Sequence, residues 1–244
     1  MIFFKPNFPV PPNYEKTPTS DGSFTFKSLD FDENCHSTSG AVEETLFNYI
    51  NSTGVNKLTL PTTSIFEVGF GLGLGAILSF IEAKKQHKKI TFYSIEIDEK
   101  LITWFKNNTS NEVNKIFPFH SLKKINELYY HANSELGELI IFNGDAFKGM
   151  ESMLPIIKPI DKIFQDAFSP KRNPDLWTKK WFEFLKSIAS KKVIMSTYSA
   201  SHGFRKVISE LGFFVYNTKG FAQKRSMTIA SLEPIKNEKL TLWK

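Results

Sequence analysis

Three observations predict an α/β fold built on a mostly parallel, doubly wound sheet. From residue 64 onward, short apolar strands alternate with helical segments, the pattern that parallel sheets produce. Acids stand where several of those strands end, which is where such sheets gather ligands. The last two strands have no helix between them, so an antiparallel hairpin is expected at the sheet edge.

The elements follow in order. Within 14–31, Asp21-Gly22 separates two alternating segments and reads as a hairpin packed on the main unit. Residues 40–51 read as a helix with Ala41, Leu46, Phe47 and Ile50 toward the core. The first strand of the sheet, 64–68, runs into a glycine-rich turn, and 76–85 is the helix after it. A second strand, 90–95, ends in acid, and 101–130 reads as mostly helical. The third strand, 139–142, ends in Asn143, Gly144 and Asp145; the fourth, 162–165, ends in Asp166. A helix over 174–189 has Asn173 as its cap and Pro174 in its first turn. The fifth strand, 192–197, precedes a helix over 202–211 that Gly212 stops. Strands over 213–218 and 225–231 finish the sheet. The expected division is a β-hairpin extension over 1–40, one α/β domain over 41–235 and a tail over 236–244.

Composition narrows the function classes. The 244 residues suit one such domain with modest additions, and 41% hydrophobic with 23% charged residues is an ordinary globular balance. No apolar run approaches the length of a bilayer span. Pro6 and Pro9 break the apolar start, so a secretory signal is not expected. Cys35 is the only cysteine, which excludes an intramolecular disulfide and makes the cytoplasm the default compartment. The spacing of His, Cys and acidic residues offers no metal site. A net charge of +6 allows a polyanionic partner such as RNA without demanding one.

The first turn carries Glu67, Gly69, Phe70, Gly71, Gly73 and Gly75. Glycines permit a tight turn and close approach of backbone to a ligand, so the pattern suits nucleotides in general, dinucleotides included. Two details favour S-adenosylmethionine. Glu67 precedes the first glycine, where it can meet a positively charged amino end, and no basic residue in the turn answers a pyrophosphate. Glu96 ends the second strand, where a carboxylate can accept both ribose hydroxyls. Asp98 competes for that role but lies farther from the strand end, and either acid could simply favour a helix start. Asp145 can accept from an adenine amino group or cap a helix.

Residues 166–177 are the most specific stretch. Acid, aromatic and proline occur within five positions at a strand end, as Asp166, Phe168 and Pro170, followed by Lys171, Arg172, Asn173, Pro174 and Trp177. An amine that attacks a sulfonium methyl must be neutral and in line, and positive charge grows on its nitrogen. Asp166 can orient that amine and stabilise the charge, and Phe168 can offer a ring face to a base or a cation. A carboxylate of ordinary pKa is too weak a base to deprotonate an alkyl ammonium fully, so water is expected to take the proton. Trp177, Trp181, Phe182 and Phe184 read as helix core.

This loop resembles that of the methyltransferase domain of the MnmC family, the tRNA 5-methylaminomethyl-2-thiouridine biosynthesis proteins. Phe70, Gly71 and Gly73 resemble the family's cofactor turn; His36, Ser37, Gly40 and Glu44 its leading helix; Gly220, Phe221, Lys224, Arg225 and Met227 its last hairpin. The resemblance runs from about residue 21 to 231. It implies a Rossmann-like class I S-adenosylmethionine-dependent methyltransferase fold, seven-stranded with a C-terminal antiparallel hairpin. It also implies S-adenosylmethionine as cofactor, bound by Glu44, Glu67, Gly69, Phe70, Gly71, Gly73, Glu96 and Asp145, with Asp166 and Phe168 catalytic. Glu44 is assigned to the cofactor in preference to a catalytic role for His36. The implied reaction is methylation of the primary amine of 5-aminomethyl-(2-thio)uridine at the tRNA wobble position. Pro170, Lys171, Arg172, Lys224 and Arg225 would then meet the anticodon loop, although a solvated surface lysine is the ordinary explanation of any one of them. A single-stranded loop makes turning the base into a pocket cheap. Gly75 departs from the Asn expected there, which puts a polar contact to the cofactor in doubt. Bifunctional members add an FAD-dependent oxidase domain that 244 residues cannot hold, so a stand-alone methyltransferase with no flavin is expected. The competing reading is a methyl- or aminopropyl-transferase for a small free amine, which would not need the basic loops. A fold kept only as a binding module would be expected to lose the strand-end acids.

Overall fold

The computed structural model describes residues 1–243. Strands covered on both faces bury successive residues, and residues 63–68 and 90–96 do so. The chain opens with β1 (Tyr14–Pro18), β2 (Phe24–Ser28) and β3 (Glu33–Asn34), then α1 (Ala41–Thr45), which passes into a π-helical segment over Leu46–Asn51. The alternating part is β4 (Thr62–Val68), α2 (Leu74–Lys85), β5 (Lys89–Glu96), α3 (Glu99–Asn108), α4 (Asn111–Asn114), β6 (Lys123–Lys124), β7 (Tyr129–Ser134), β8 (Gly137–Asn143), α5 (Met150–Met153) and β9 (Ile160–Gln165). A 3₁₀ turn over Pro174–Trp177, α6 (Lys179–Ile188), β10 (Ala189–Thr197), α7 (His202–Glu210), β11 (Phe214–Thr218), β12 (Met227–Ser231) and β13 (Thr241–Leu242) complete it.

Ten strands form one sheet in the order β13-β11-β12-β10-β9-β4-β5-β8-β7-β6. The five strands from β10 to β8 pair in parallel, and β11 and β12 form the expected antiparallel hairpin, with Tyr216 opposite Ile229. The arrangement is the expected doubly wound, mostly parallel α/β sheet, with three strands beyond the seven expected. Two of them, β6 and β7, lie where a helix was predicted over 101–130. Pro118 disfavours helix in the residue before it, and the open edge of β8 recruits β7 as an antiparallel neighbour. The third, β13, lies in the predicted tail and pairs with β11.

Two further expectations are corrected. The predicted helix over 174–189 is a 3₁₀ turn followed by α6, and the cap is Thr178, whose hydroxyl accepts the Trp181 N–H at 3.3 Å. Asn173 makes no such bond. The N-terminal hairpin gains β3 and becomes a three-stranded sheet.

Helices cover both faces. On one face α2 and α3 pack with the N-terminal segment, where Phe4, Phe24 and Phe26 surround Trp104. Phe26 is fully buried with its ring 4.8 Å from that indole, and each such ring contributes about 1.5–3 kcal/mol of burial. The indole N–H donates to the Pro9 carbonyl at 2.8 Å. This packing seats the three-stranded sheet over the carboxyl ends of the parallel strands. On the opposite face Trp181, Phe182, Leu185 and Ile208 are buried under α6 and α7.

Candidate active site

A cavity of about 230 Å³ opens at the carboxyl ends of β4, β5, β8 and β9. Its floor holds Gly69, Gly71, Glu96, Asp145 and Asp166; the N-terminal segment supplies Tyr14, Phe31, Cys35 and His36; Phe168 and Leu176 cover it. Gly71 has φ +53°, and a side chain there would enter the space before Cys35 and His36, each 3.9 Å from the would-be Cβ.

Glu96 is 7% exposed. One carboxylate oxygen accepts the Gly71 N–H at 2.9 Å and the other the Asp98 N–H at 3.0 Å. Each oxygen keeps a lone pair for a ligand diol. Burial pushes this carboxyl up to about 7, against the backbone donors that hold it down. Asp98 instead caps α3 by accepting the Lys100 N–H at 2.9 Å. Asp145 lines the cavity and accepts the Lys148 N–H at 3.0 Å within the turn before α5, whose cap position is Gly149. These groups fit S-adenosylmethionine: a buried acid with free acceptor capacity for a ribose, a second acid for an amino-bearing base, and a turn without a Cβ in the way.

Four expected contacts are not at this cavity, Glu44 among them, which lines a second one. Glu67 is 3% exposed and its carboxylate turns under the sheet, accepting the Ser94 hydroxyl at 2.7 Å. It lies against Gly75, where a Cβ would stand 1.9 Å from its Oε1, so the room left by that glycine draws the acid away from the crevice. Phe70 packs edge-on against Phe105 at 4.8 Å in the core. Gly73 has φ +69° at the start of α2, and a Cβ there would strike Phe105 at 2.4 Å, so this glycine serves helix packing.

A second cavity, about 290 Å³, shares Cys35, His36, Asp166, Ala167 and Phe168 with the first and adds Glu33, Glu44, Tyr198 and Lys224. Asp166 borders both. Its Oδ1 accepts the Tyr49 hydroxyl at 2.5 Å. Burial raises its carboxyl well above the usual carboxylate range, Tyr49 pulling the other way. The ordinary pKa expected for this acid is therefore wrong: the protein removes solvation that a free carboxylate keeps. Tyr49 is 2% exposed and projects from the π-helical segment. A π-helix closes each turn with i→i+5 bonds, which brings Glu44 and Tyr49 toward one side.

The loop after β9 is pinned from afar. Phe168 stacks on Phe31 with centroids 4.6 Å apart. The Ser169 hydroxyl donates to Glu33 at 2.8 Å, and the Trp177 indole donates to the Phe168 carbonyl at 2.8 Å. Arg172 pairs with Asp32 at 2.7 Å, and the Lys224 ammonium turns inward to Glu44 at 3.5 Å instead of standing free. Glu44 faces the second cavity and not the first. Pro170 is half-buried in the turn, while Lys171 and Arg225 are exposed. Sequence reasoning missed Tyr14, Phe31, Glu33, Tyr49 and Tyr198. None of them left a local sequence signal, because they meet the site through contacts distant in the chain.

A family model described as S-adenosyl-L-methionine-dependent methyltransferase matches residues 107–233. An uncharacterized protein of Methanocaldococcus jannaschii is 27% identical over 221 residues, covering 88% of this chain and 59% of that protein. The tRNA 5-methylaminomethyl-2-thiouridine biosynthesis bifunctional protein MnmC of Pseudoalteromonas translucida is 25% identical over 248 residues, covering 91% of this chain and 35% of that protein. The chain thus spans 59% of the first relative's length and 35% of the second's. The crystal structure of MNMC2 from Aquifex aeolicus has the same fold, with a TM-score of 0.74 and 24% identity over 96% of this chain and 75% of that one.

Proposed function

This chain belongs to the S-adenosyl-L-methionine-dependent methyltransferase family, and from that premise we propose that it methylates the primary amine of a 5-aminomethyl-(2-thio)uridine at the wobble position of tRNA. The observation that carries the reading is Asp166, a desolvated carboxylate held by Tyr49 at the junction of two cavities, one fitted to a nucleoside cofactor and one open to a substrate. The relatives named for tRNA modification support the choice of substrate.

S-adenosylmethionine, when bound, supplies the electrophilic methyl group. Glu96 receives the ribose hydroxyls and Asp145 the adenine amino group, with Gly69 and Gly71 admitting the ligand past the backbone. Asp166 accepts a hydrogen bond from the substrate amine and aims its lone pair. Because burial raises the basicity of Asp166, its Oδ atoms can take the proton that an arriving ammonium must lose. That proton passes on to water before transfer, and the restored carboxylate stabilises the positive charge that grows on nitrogen. Phe168, braced by Phe31, gives the uracil ring a flat apolar wall. Tyr49 holds the carboxylate in place. Phosphates of the anticodon loop meet Lys171 and Arg225, the exposed cations beside the site.

The test is nucleoside mass spectrometry of tRNA from cells with and without the gene, together with methylation by the purified protein of tRNA bearing the aminomethyl group. Accumulation of the unmethylated aminomethyl nucleoside in the deletion is expected. An unchanged nucleoside profile, or methylation of small free amines without tRNA, would overturn the substrate.

A further inference from the structure

Glu44 is 7% exposed, and an unpaired carboxylate at that depth is costly. One oxygen accepts the Ser37 N–H at 2.6 Å. The other, Oε1, meets the Lys224 ammonium, at 3.5 Å. Charge-assisted N–H to carboxylate bonds settle near 2.7–2.9 Å, so Lys224 reaches this acid without fitting it. The same ammonium lies 4.5 Å from the ring centroid of Tyr198. That ring cannot swing away freely, because its hydroxyl donates to the Ala167 carbonyl at 2.9 Å. Carboxylate and aromatic face thus make two walls of a cage for a cation, inside a cavity that also borders Asp166. The Lys224 side chain is 46% exposed and sits in the loop between β11 and β12, so its stem can withdraw to solvent without disturbing the core.

We propose that Glu44 and Tyr198 form an ammonium subsite that Lys224 fills in the free protein and that the ammonium of a bound ligand takes over. The incoming group makes the shorter contact that Lys224 cannot reach, and the lysine is released to water or to a phosphate. The geometry itself stands apart from the substrate assigned above; that assignment enters only in naming one of the two ligands that bring an ammonium here. These are the methionine end of the cofactor and the aminomethyl group of the substrate.

Calorimetry on the full chain separates the sources. S-adenosylhomocysteine is compared with 5′-methylthioadenosine, which lacks the amino acid end, and 5-aminomethyluridine with 5-methyluridine, which lacks the amine. Lys224→Met should tighten the ammonium-bearing member of one pair by about 2- to 5-fold, the worth of a half-exposed ion pair. Glu44→Gln should weaken the same member by ~10-fold or more. The ammonium-free member should not respond. A response confined to S-adenosylhomocysteine assigns the subsite to the cofactor; one confined to 5-aminomethyluridine assigns it to the substrate, and either supports the proposal. No response in either pair, or weaker binding in Lys224→Met, overturns it. Lys224→Met changes an exposed side chain, so the test survives if Glu44→Gln fails to fold. If the tRNA reading is wrong, 5-aminomethyluridine will not bind even the unaltered protein, and the S-adenosylhomocysteine pair still decides the subsite.

Discussion

Glu96 and Asp166 are acids at the ends of β5 and β9, the two strands that flank β4, yet they are held differently. Glu96 takes backbone N–H donors from Gly71 and Asp98, which are fixed by the fold. Asp166 takes the hydroxyl of one side chain, Tyr49. Burial lifts both carboxyls, Glu96 to about 7 and Asp166 well above the usual range. Rigid donors favour the charged form and suit an acid that only binds. A half-buried carboxylate with one adjustable partner stays ready to exchange a proton, which suits an acid that takes part in chemistry.

The largest expected effect tests the Asp166 side of that contrast. Asp166→Asn keeps the shape and an acceptor for Tyr49 but removes the charge and the basicity. Single-turnover methylation should slow by at least ~10²-fold, with cofactor and tRNA affinity close to unchanged. Near-full turnover would erase the distinction between the two acids. Glu96→Ala should instead weaken S-adenosylmethionine by roughly 10- to 100-fold in calorimetry, equivalent to about 1.5–3 kcal/mol of charged hydrogen bonding, while turnover at saturating cofactor is largely kept.

Protonation gives a third comparison. The folded Glu96 carboxyl titrates at about 7 against 4.5 for the free group, so the folded protein binds the extra proton between those values. Stability of the ligand-free protein should therefore fall as pH rises from 4.5 to 7, by about 2–3 kcal/mol from this group. Glu96→Gln should flatten that slope in thermal melts between pH 5 and 7.5, and an unchanged slope would show that Glu96 is not desolvated. Tyr49→Phe should cost ~10-fold in turnover with KM kept. Losing a donor that holds Asp166 down should also move the acid limb of the rate profile to higher pH, whereas a purely structural role would leave that limb in place. Smallest of all, Arg225→Ala or Lys171→Ala should lower the salt slope of tRNA binding by about 1 without touching cofactor affinity.

The two acids also differ in how far the sequence foretold their surroundings. Glu96 and Asp145 stand beside strands whose apolar runs are plain, and Gly71 lies in a contiguous turn, so the cofactor side was legible. The Asp166 side is assembled from a distance: Tyr49 is 117 residues away, and Glu33, which pins Ser169, is 136 away. No local pattern records such meetings. Strands β6 and β7 were missed for a related reason. Lys123–Lys124 is too short to show a period, and Tyr129–Ser134 becomes a strand only because β8 offers it an edge. Glu67 was misplaced because its direction depends on the residue eight positions later.

That dependence makes Gly75 a switch for where a carboxyl group points, and burial in the present berth raises that carboxyl well above the usual range. The would-be Cβ at 75 meets Oε1, the far end of a flexible side chain, so the clash is relieved by rotating the acid and not by moving backbone. Gly75→Asn would evict the carboxylate from its berth beside Ser94 and send it toward the mouth of the crevice, changing the local potential without altering a single charged residue. In this chain the glycine leaves room for Glu67 beneath the crevice, outside the cavity lining. A collection of variants randomised at 75 alone would then sample two electrostatic settings of one pocket, sorted by side-chain volume at a position outside its lining.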